Sequence, residues 1–475
     1  MDTVVIILQA CVVIGAIVLG VRTGGIGLGL WGVLGTGILV FGFRLPPGSP
    51  PIDAFFIIIA VITASSAMQA AGGIDYLVSI ASKIIQRNPK RLTYVAPLVA
   101  FVFTVLSGTS NIFIALIPVI YETAYRNGQR PERALASATV TSGLGITASP
   151  VSAAMAAYLV LIEAKGFTLP QVLLITIPSA IIACIATSFV QQRIGKELVD
   201  DPTFQKRVEE GAVEVPAALT AQFAAVGSAG SGPAIAVTEP GRRGRKAAAP
   251  APIEHTVPPG GKTAAWIFMA GTLLVVILGL FPDLRPAFPD AEGELVPLSM
   301  SIVIEMVMFT AALVIILVRR VKPSLVVEQP LLKAGYVAAV ALFGIAWMAD
   351  TFISANEETI IKPLGELIQA QPLLLAVALF LVCGLTTSQS ATTNTLIPIA
   401  IAAGLAPGVI TAMWPSLIGV WLFPANGGQI ASVETDRTGS TKLTQVPIWH
   451  SFTVPMLVSW VAVVVSGLVI QLFVH

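Results

Sequence analysis

Apolar runs of membrane-spanning length recur along this chain, and two of the most hydrophobic parts are cut by polar patches, Ser107-Gly-Thr-Ser-Asn111 and Thr386-Thr-Ser-Gln-Ser-Ala-Thr-Thr-Asn-Thr395. Each patch runs into Leu-Ile-Pro and a β-branched residue, giving Leu116-Ile-Pro-Val119 and Leu396-Ile-Pro-Ile399. One offset of 280 residues relates these elements, and the same offset relates Met68 to Met348. A helix-breaking polar element used twice at membrane depth is the sequence pattern of a transporter binding site built from repeats.

Of 475 residues, 55% are hydrophobic and only 11% are charged. That balance, with a mean hydropathy of +0.86, specifies an all-α polytopic membrane protein and offers no nucleic-acid-binding surface. The net charge of +1 says little, because the placement of Lys and Arg is what orients spans. Cys11, Cys184 and Cys383 fall within apolar runs without metal-ligand spacing, so they read as small buried residues. The first apolar run follows Met1-Asp2 with no basic segment ahead of it, and so reads as an uncleaved span.

Spans are expected over roughly 3–21, 24–44, 53–71, 134–163 and 170–190, and again over 263–281, 298–318, 331–352, 409–432 and 447–474. Between the third and fourth of each set lies a pair of shorter apolar runs, 92–124 and 373–405, joined by a polar patch. Each arm is below the ~20 residues a crossing helix needs, which points to re-entrant hairpins. Charge supports the hairpin: it keeps Lys83, Arg87, Lys90 and Arg91 on the same face as Arg126, Arg130 and Arg133, as the positive-inside rule prefers. The resulting plan is about ten transmembrane helices plus two hairpins. Residues 1–190 form a first repeat and 263–475 an inverted second, with both termini periplasmic. Residues 191–262 form a cytoplasmic linker of low complexity, whose stretch from Asp200 to Glu210 is able to form a short charged helix.

Hairpin tips at mid-membrane leave backbone groups unpaired, which is tolerated where they meet a ligand or line a cavity. This nominates Ser107, Gly108, Thr109, Ser110 and Asn111 in the first tip and Thr392, Thr393, Asn394 and Thr395 in the second. Downstream of each hairpin a span is interrupted, at Thr147-Ala-Ser149-Pro150 and at Phe423-Pro424-Ala-Asn426-Gly427-Gly428, adding these residues to the candidate substrate site. No Arg or Lys sits at the centre of a span, so an anion must be held by hydroxyls, amides and helix ends. Glu305 and Asp350 are the carboxylates placed to couple transport to H+ or Na+, and no histidine lies mid-span. Amphipathic stretches from Gly73 to Asn88 and from Ser354 to Ala370 are expected along the membrane surface, against lipid.

Several stretches carry a resemblance to a known family. Gly24-Gly-Ile-Gly-Leu-Gly29, Ser66-Ala-Met-Gln-Ala-Ala-Gly-Gly-Ile-Asp-Tyr-Leu77, Arg87-Asn-Pro-Lys90, Gly108-Thr-Ser-Asn111, Ile146-Thr-Ala-Ser-Pro-Val-Ser-Ala153, Trp347-Met-Ala-Asp-Thr-Phe352 and Asp436-Arg-Thr-Gly-Ser-Thr441 are similar to those of the anaerobic C4-dicarboxylate transporters of the Dcu group (DcuA/DcuB type), within the broader ion-transporter superfamily. The resemblance covers nearly the whole chain; the long Ala/Gly/Pro linker and Glu305 depart from it. It implies a dimeric secondary antiporter of the bacterial inner membrane that exchanges fumarate, succinate, malate or aspartate in anaerobic metabolism. The alternatives are proton- or sodium-coupled dicarboxylate uptake, or a carrier that also informs a sensor kinase. The spans carry no His/Cys/Asp metal set or nucleophile motif, so an enzyme is not expected, and neither is a cofactor.

Overall fold

The computed structural model describes residues 3–23, 25–220, 222–223, 257–289, 294–356, 371–423, 426–443 and 448–474. Among these residues the regular structure is helical apart from one short β ribbon, which hydropathy does not foretell. The first half contains α1 (Thr3–Thr23), α2 (Gly27–Gly37, extended by a π turn to Gly42), α3 (Ile52–Ala70), α4 (Gly73–Arg87), α5 (Leu92–Ser107), α6 (Asn111–Arg126), α7 (Pro131–Thr147), α8 (Ala153–Glu163) and α9 (Leu169–Gln191). A short α10 (Pro202–Glu209) follows. The second half runs through α11 (Gly261–Leu280), the ribbon β1 (Ala287–Pro289) and β2 (Leu295–Pro297), α12 (Met300–Arg319), α13 (Pro323–Glu328), α14 (Pro330–Ala355), α15 (Leu373–Thr386), α16 (Gln389–Ala402), α17 (Pro407–Met413), a 3₁₀ stretch Trp414–Trp421, α18 (Gly427–Thr435) and α19 (Thr453–Ile470).

Among the described residues, six helices are long and apolar enough to cross a membrane. These include α5 together with the turn before it (Pro89–Ser107), so length does not by itself make α5 a re-entrant arm. The two helices do form a hairpin: α5 and α6 pack on each other, and Gln129 beyond the end of α6 donates from Nε2 to the Pro89 carbonyl ahead of α5 at 2.8 Å. The start of α5 and the end of α6 therefore lie side by side. Helix α4 turns 73° away from α3 and buries Leu77, Val78, Ala81 and Ile85. This is the amphipathic arm expected there, with the four residues spaced along one helical face. Its counterpart after α14 lies almost wholly outside the described residues, as does most of the stretch from Pro216 to Gly261.

One large core joins α3 to α9 with α11, α12 and the helices from α15 onward. A second, smaller core holds α1, α2 and α14 together through Ala16, Leu28, Leu39, Leu45, Ala341, Ile345 and Met348. There α2 and α14 touch backbone to backbone: a Cβ on Gly344 would overlap the Gly29 carbonyl, and one on Gly32 would strike Gly344. Close approach through small residues supplies the dispersion contact that drives helix association where lipid removes the hydrophobic incentive. Just past the end of α14, buried Asn356 donates from Nδ2 at 2.8 Å to Oε1 of Gln9, buried within α1.

Beside the end of α6, Leu198, Phe204, Val213, Leu219 and Phe223 build a small core against Tyr125. Beside it, buried Arg130 pairs with Glu132 (2.6 Å) and with Asp201. Burial alone would raise the Asp201 carboxyl's pKa, but the Arg130 charge and the N–H groups of Thr203 and Phe204 outweigh it and hold the pKa below the ordinary value. Burial disfavours the charged Arg130 as well, yet Glu132 and Asp201 together stabilise its charge. Glu132 also accepts from Ser451 Oγ at 2.5 Å, and its backbone N–H donates to Ser440 at 3.2 Å. The start of α7 is thereby tied to the loop from Asp436 to Thr441, where buried Asp436 accepts from Thr438, Ser440 and Thr441.

Candidate functional site

The first hairpin turns at Gly108, whose φ of +71° is left-handed and open to glycine without penalty. A side chain there would also run into the Val151 carbonyl. Ser107 Oγ donates to the Thr109 carbonyl across the turn at 3.0 Å. Helix α6 then begins after Ser110, whose side chain makes no capping bond; the Phe113 N–H turns back to the Ser110 carbonyl at 3.0 Å, and the N–H groups ahead of it receive no cap from Ser110. The α7–α8 break packs behind this tip: Ser149 Oγ donates to the Val105 carbonyl at 2.7 Å and Ser152 Oγ to the Ile146 carbonyl at 2.7 Å. Ser152 caps α8 by accepting from Met155 N–H.

The second hairpin turns at Thr387 and Ser388. Thr387 holds a φ of +51°, a conformation costing a non-glycine residue on the order of 1–3 kcal/mol. Ser388 caps α16 by accepting from Ala391 N–H at 3.2 Å. Gln389 Nε2 reaches the Gly143 carbonyl (3.1 Å) and the Leu417 carbonyl (3.3 Å), pinning this tip to α7 and to the 3₁₀ stretch. After that stretch, Asn426 caps α18 in a reciprocal arrangement with Gln429.

A cavity of about 270 Å³ lies between these elements. Its wall takes Ser107, Gly108, Thr109 and Ser110 from the first tip, Thr387, Ser388, Gln389 and Ser390 from the second, and Asn426 ahead of α18. Ala153 and Ala154 open α8, while Val61, Ile62 and Ser65 of α3 with Leu331 and Gly335 of α14 close the opposite side. Gly143, Ile146, Val151, Val420 and Trp421 complete it. Every lining residue is uncharged. Four helices, α6, α8, α16 and α18, start at this wall, and each presents an N-terminus equivalent to roughly +0.5 elementary charge.

Of the residues nominated from sequence, Ser107, Gly108, Thr109, Ser110 and Asn426 are brought together here. Thr147, Ser149 and Pro150 are buried behind the first tip and do not line the cavity; Thr147 Oγ1 donates to Leu144 O at 3.0 Å. Gly427 is the first residue of α18, beside the lining. Pro424 and the Asn111 side chain lie outside what is described. Thr392, Thr393, Asn394 and Thr395 are not at the tip but along α16. Their hydroxyls bond back to Ser388, Gln389 and Ala391, Thr393 also accepts from Trp414 Nε1 at 2.9 Å, and the buried Asn394 amide has no partner. The polar patch was legible, but its break lies upstream: a helix beginning at Gln389 needs a cap before it, and Ser388 is that residue. Ser65 and Trp421 carried no comparable signal, since only packing brings them to the wall. Asp350 instead accepts from the Ser49 N–H at 2.7 Å, docking the Pro46–Pro51 loop on α14, and Glu305 lies on α12; neither lines the cavity.

The model of the family described as "Anaerobic c4-dicarboxylate membrane transporter" matches residues 5–475. The chain is 34% identical to the anaerobic C4-dicarboxylate transporter DcuB of Escherichia coli O6:H1, over 95% of each chain. It is likewise 34% identical to the C4-dicarboxylate transporter DcuA of Escherichia coli K12, over 98% of this chain and 99% of that one. With DcuA of Wolinella succinogenes the identity is 33% over 95% of each. MtrF of Neisseria gonorrhoeae, from a class of antimetabolite efflux pumps, shares the fold at a TM-score of 0.51 and 10% identity, covering 94% of this chain and 92% of its own. The chain belongs to the anaerobic C4-dicarboxylate membrane transporter family, and it is a multi-pass membrane transporter of bacterial type rather than an enzyme.

Proposed function

We propose that the protein exchanges C4-dicarboxylates, fumarate and succinate foremost, across the bacterial inner membrane by alternating access, with the cavity between the hairpin tips as its substrate site. The observation that carries this reading is the meeting of four helix N-termini at a cavity with no charged lining residue. Four ends of about half a charge each are of the size needed to offset a dianion, and hydroxyl and amide groups supply directional bonds without the tight hold of a buried Lys or Arg. Release then needs no ion pair to be broken.

The matching architecture is about ten spans plus two re-entrant hairpins in two inverted repeats, 1–190 and 263–475, with periplasmic termini and a cytoplasmic 191–262 connection. Hairpins entering from opposite faces give the cavity two equivalent ways to open. A homodimer is the assembly expected by resemblance. Since no titratable side chain lines the cavity among the described residues, substrate-for-substrate exchange is favoured over uptake coupled to protons at this site.

The test is counterflow in proteoliposomes. Labelled succinate is expected to enter only vesicles preloaded with fumarate, malate, aspartate or succinate, without an imposed ion gradient. Accumulation driven by a sodium or proton gradient into empty vesicles would replace exchange with coupled uptake.

A further inference from the structure

Trp421 ends the 3₁₀ stretch, lines the cavity and is only 2% exposed. Its indole lies between two glycines: Nε1 is the atom a Cβ on Gly143 of α7 would meet, at 2.7 Å, and the far edge of the six-membered ring faces Gly428 of α18 at 3.4 Å from where a Cβ would stand. Despite this enclosure the Nε1–H has no hydrogen-bond partner. The contrast with Trp414, Trp347 and Trp460 is informative, because each of those donates from Nε1 at 2.9–3.0 Å. A buried donor without an acceptor costs roughly 1–3 kcal/mol, and native structures rarely keep one without a use.

The surroundings define what the acceptor is. Gly143 O accepts from Gln389 and Trp421 O accepts from Gln429, and neither takes the indole N–H. Gly143 and Trp421 both belong to the cavity wall, so the unpartnered N–H is carried by a residue of the wall where a ligand docks. An indole N–H donates only, so it selects an acceptor such as a carboxylate oxygen and gives nothing to a cation.

We propose that the Trp421 indole N–H donates a hydrogen bond to a carboxylate of the bound dicarboxylate, and that Gly143 is a glycine so that the ring can lie where it does. This rests on the assignment of the cavity as the dicarboxylate site. The ring is seated between Gly143 of α7 and Gly428 of α18, and Gln389 of the second tip bonds the carbonyl of the same Gly143.

Trp421→Phe keeps the ring between its two glycines and removes the donor. Loss of one hydrogen bond to a charged group predicts a rise in the half-saturation concentration for succinate of roughly tenfold to a hundredfold. The penalty should shrink for succinamate, in which one carboxylate is replaced by a neutral amide. A packing role would not distinguish the two ligands. In ¹⁵N-tryptophan-labelled protein in nanodiscs, the indole resonance missing from Trp421→Phe should move downfield on adding succinate. If Trp421→Phe does not fold, Gly143→Ala serves: its new methyl group displaces Nε1, and the resonance it shifts should be the one that responds to succinate, with weakened binding. Wild-type succinate affinity in either variant, or an indole resonance unmoved by saturating succinate, overturns the inference alone. Failure of the unmodified protein to bind any C4-dicarboxylate overturns the functional reading together with it.

Discussion

Two residues at the hairpin tips hold the same left-handed backbone by opposite means, and this gives substitutions of opposite sign. Gly108 adopts φ +71° at no cost and leaves room for the Val151 carbonyl. Gly108→Ala is therefore expected to destabilise by at least 1–2 kcal/mol and to lower exchange more than tenfold; normal counterflow with an unchanged thermal midpoint would show that the turn tolerates a side chain. Thr387 carries the strain instead, at φ +51°. Thr387→Gly should raise the unfolding midpoint, by an increment on the order of 1 kcal/mol, while weakening exchange because a cavity-lining hydroxyl is lost. A protein both less stable and fully active would contradict that assignment. The polar patch around Thr387 was readable as a patch because hydroxyls are conspicuous in apolar sequence. Which residue sits at its apex depends on where α16 is capped, and Ser388 wins over the more crowded Thr392–Thr395 by geometry rather than composition.

Among the elements, the join between α7, the segment before α10 and the Asp436–Thr441 loop is where charge is most consequential. Removing a partner from a buried ion pair leaves an uncompensated charge, so Arg130→Met is expected to cost roughly 3–5 kcal/mol, measurable as a lowered unfolding midpoint in detergent. Asp201 gives the pH dependence. Its pKa is lowered in the folded protein, so its stabilising contribution is complete above the ordinary carboxylate value near 3.9 and declines as pH falls through that value toward the folded one. Wild-type protein should accordingly lose more thermal stability between pH 5 and pH 3 than Asp201→Asn does; equal losses would assign acid sensitivity elsewhere. The contact of α2 with α14 is steric. Gly344→Leu has no room against Gly29 and Gly32 and is expected to separate the two helices, seen as protease sensitivity in the loop from 45 to 51 that α14 holds through Asp350, Thr351 and Trp347.

For the whole molecule, orientation is the testable quantity. In a Cys11→Ser background, with Cys184 and Cys383 buried, exposed Asp283→Cys before the β ribbon should react with an impermeant thiol reagent added outside intact cells. Exposed Glu210→Cys, beyond α10, should react only after the membrane is opened. The reverse pattern would invert the proposed topology and with it the assignment of hairpin faces.

The sequence by itself determined that this is a helical membrane transporter with two duplicated polar breaks, because hydrocarbon demands long apolar helices and a break at that depth must serve a ligand. It also carried the family, through motifs spread along nearly the entire chain. The tertiary structure alone decided which side chains share the cavity: Ser65, Gly143 and Trp421 are remote in sequence from both tips and look like ordinary helix residues until packing brings them together. The physical reason is that hydrophobic periodicity and helix breaks are local properties of the chain, whereas the convergence of four helix ends, and the indole N–H left without a partner beside them, are products of long-range packing.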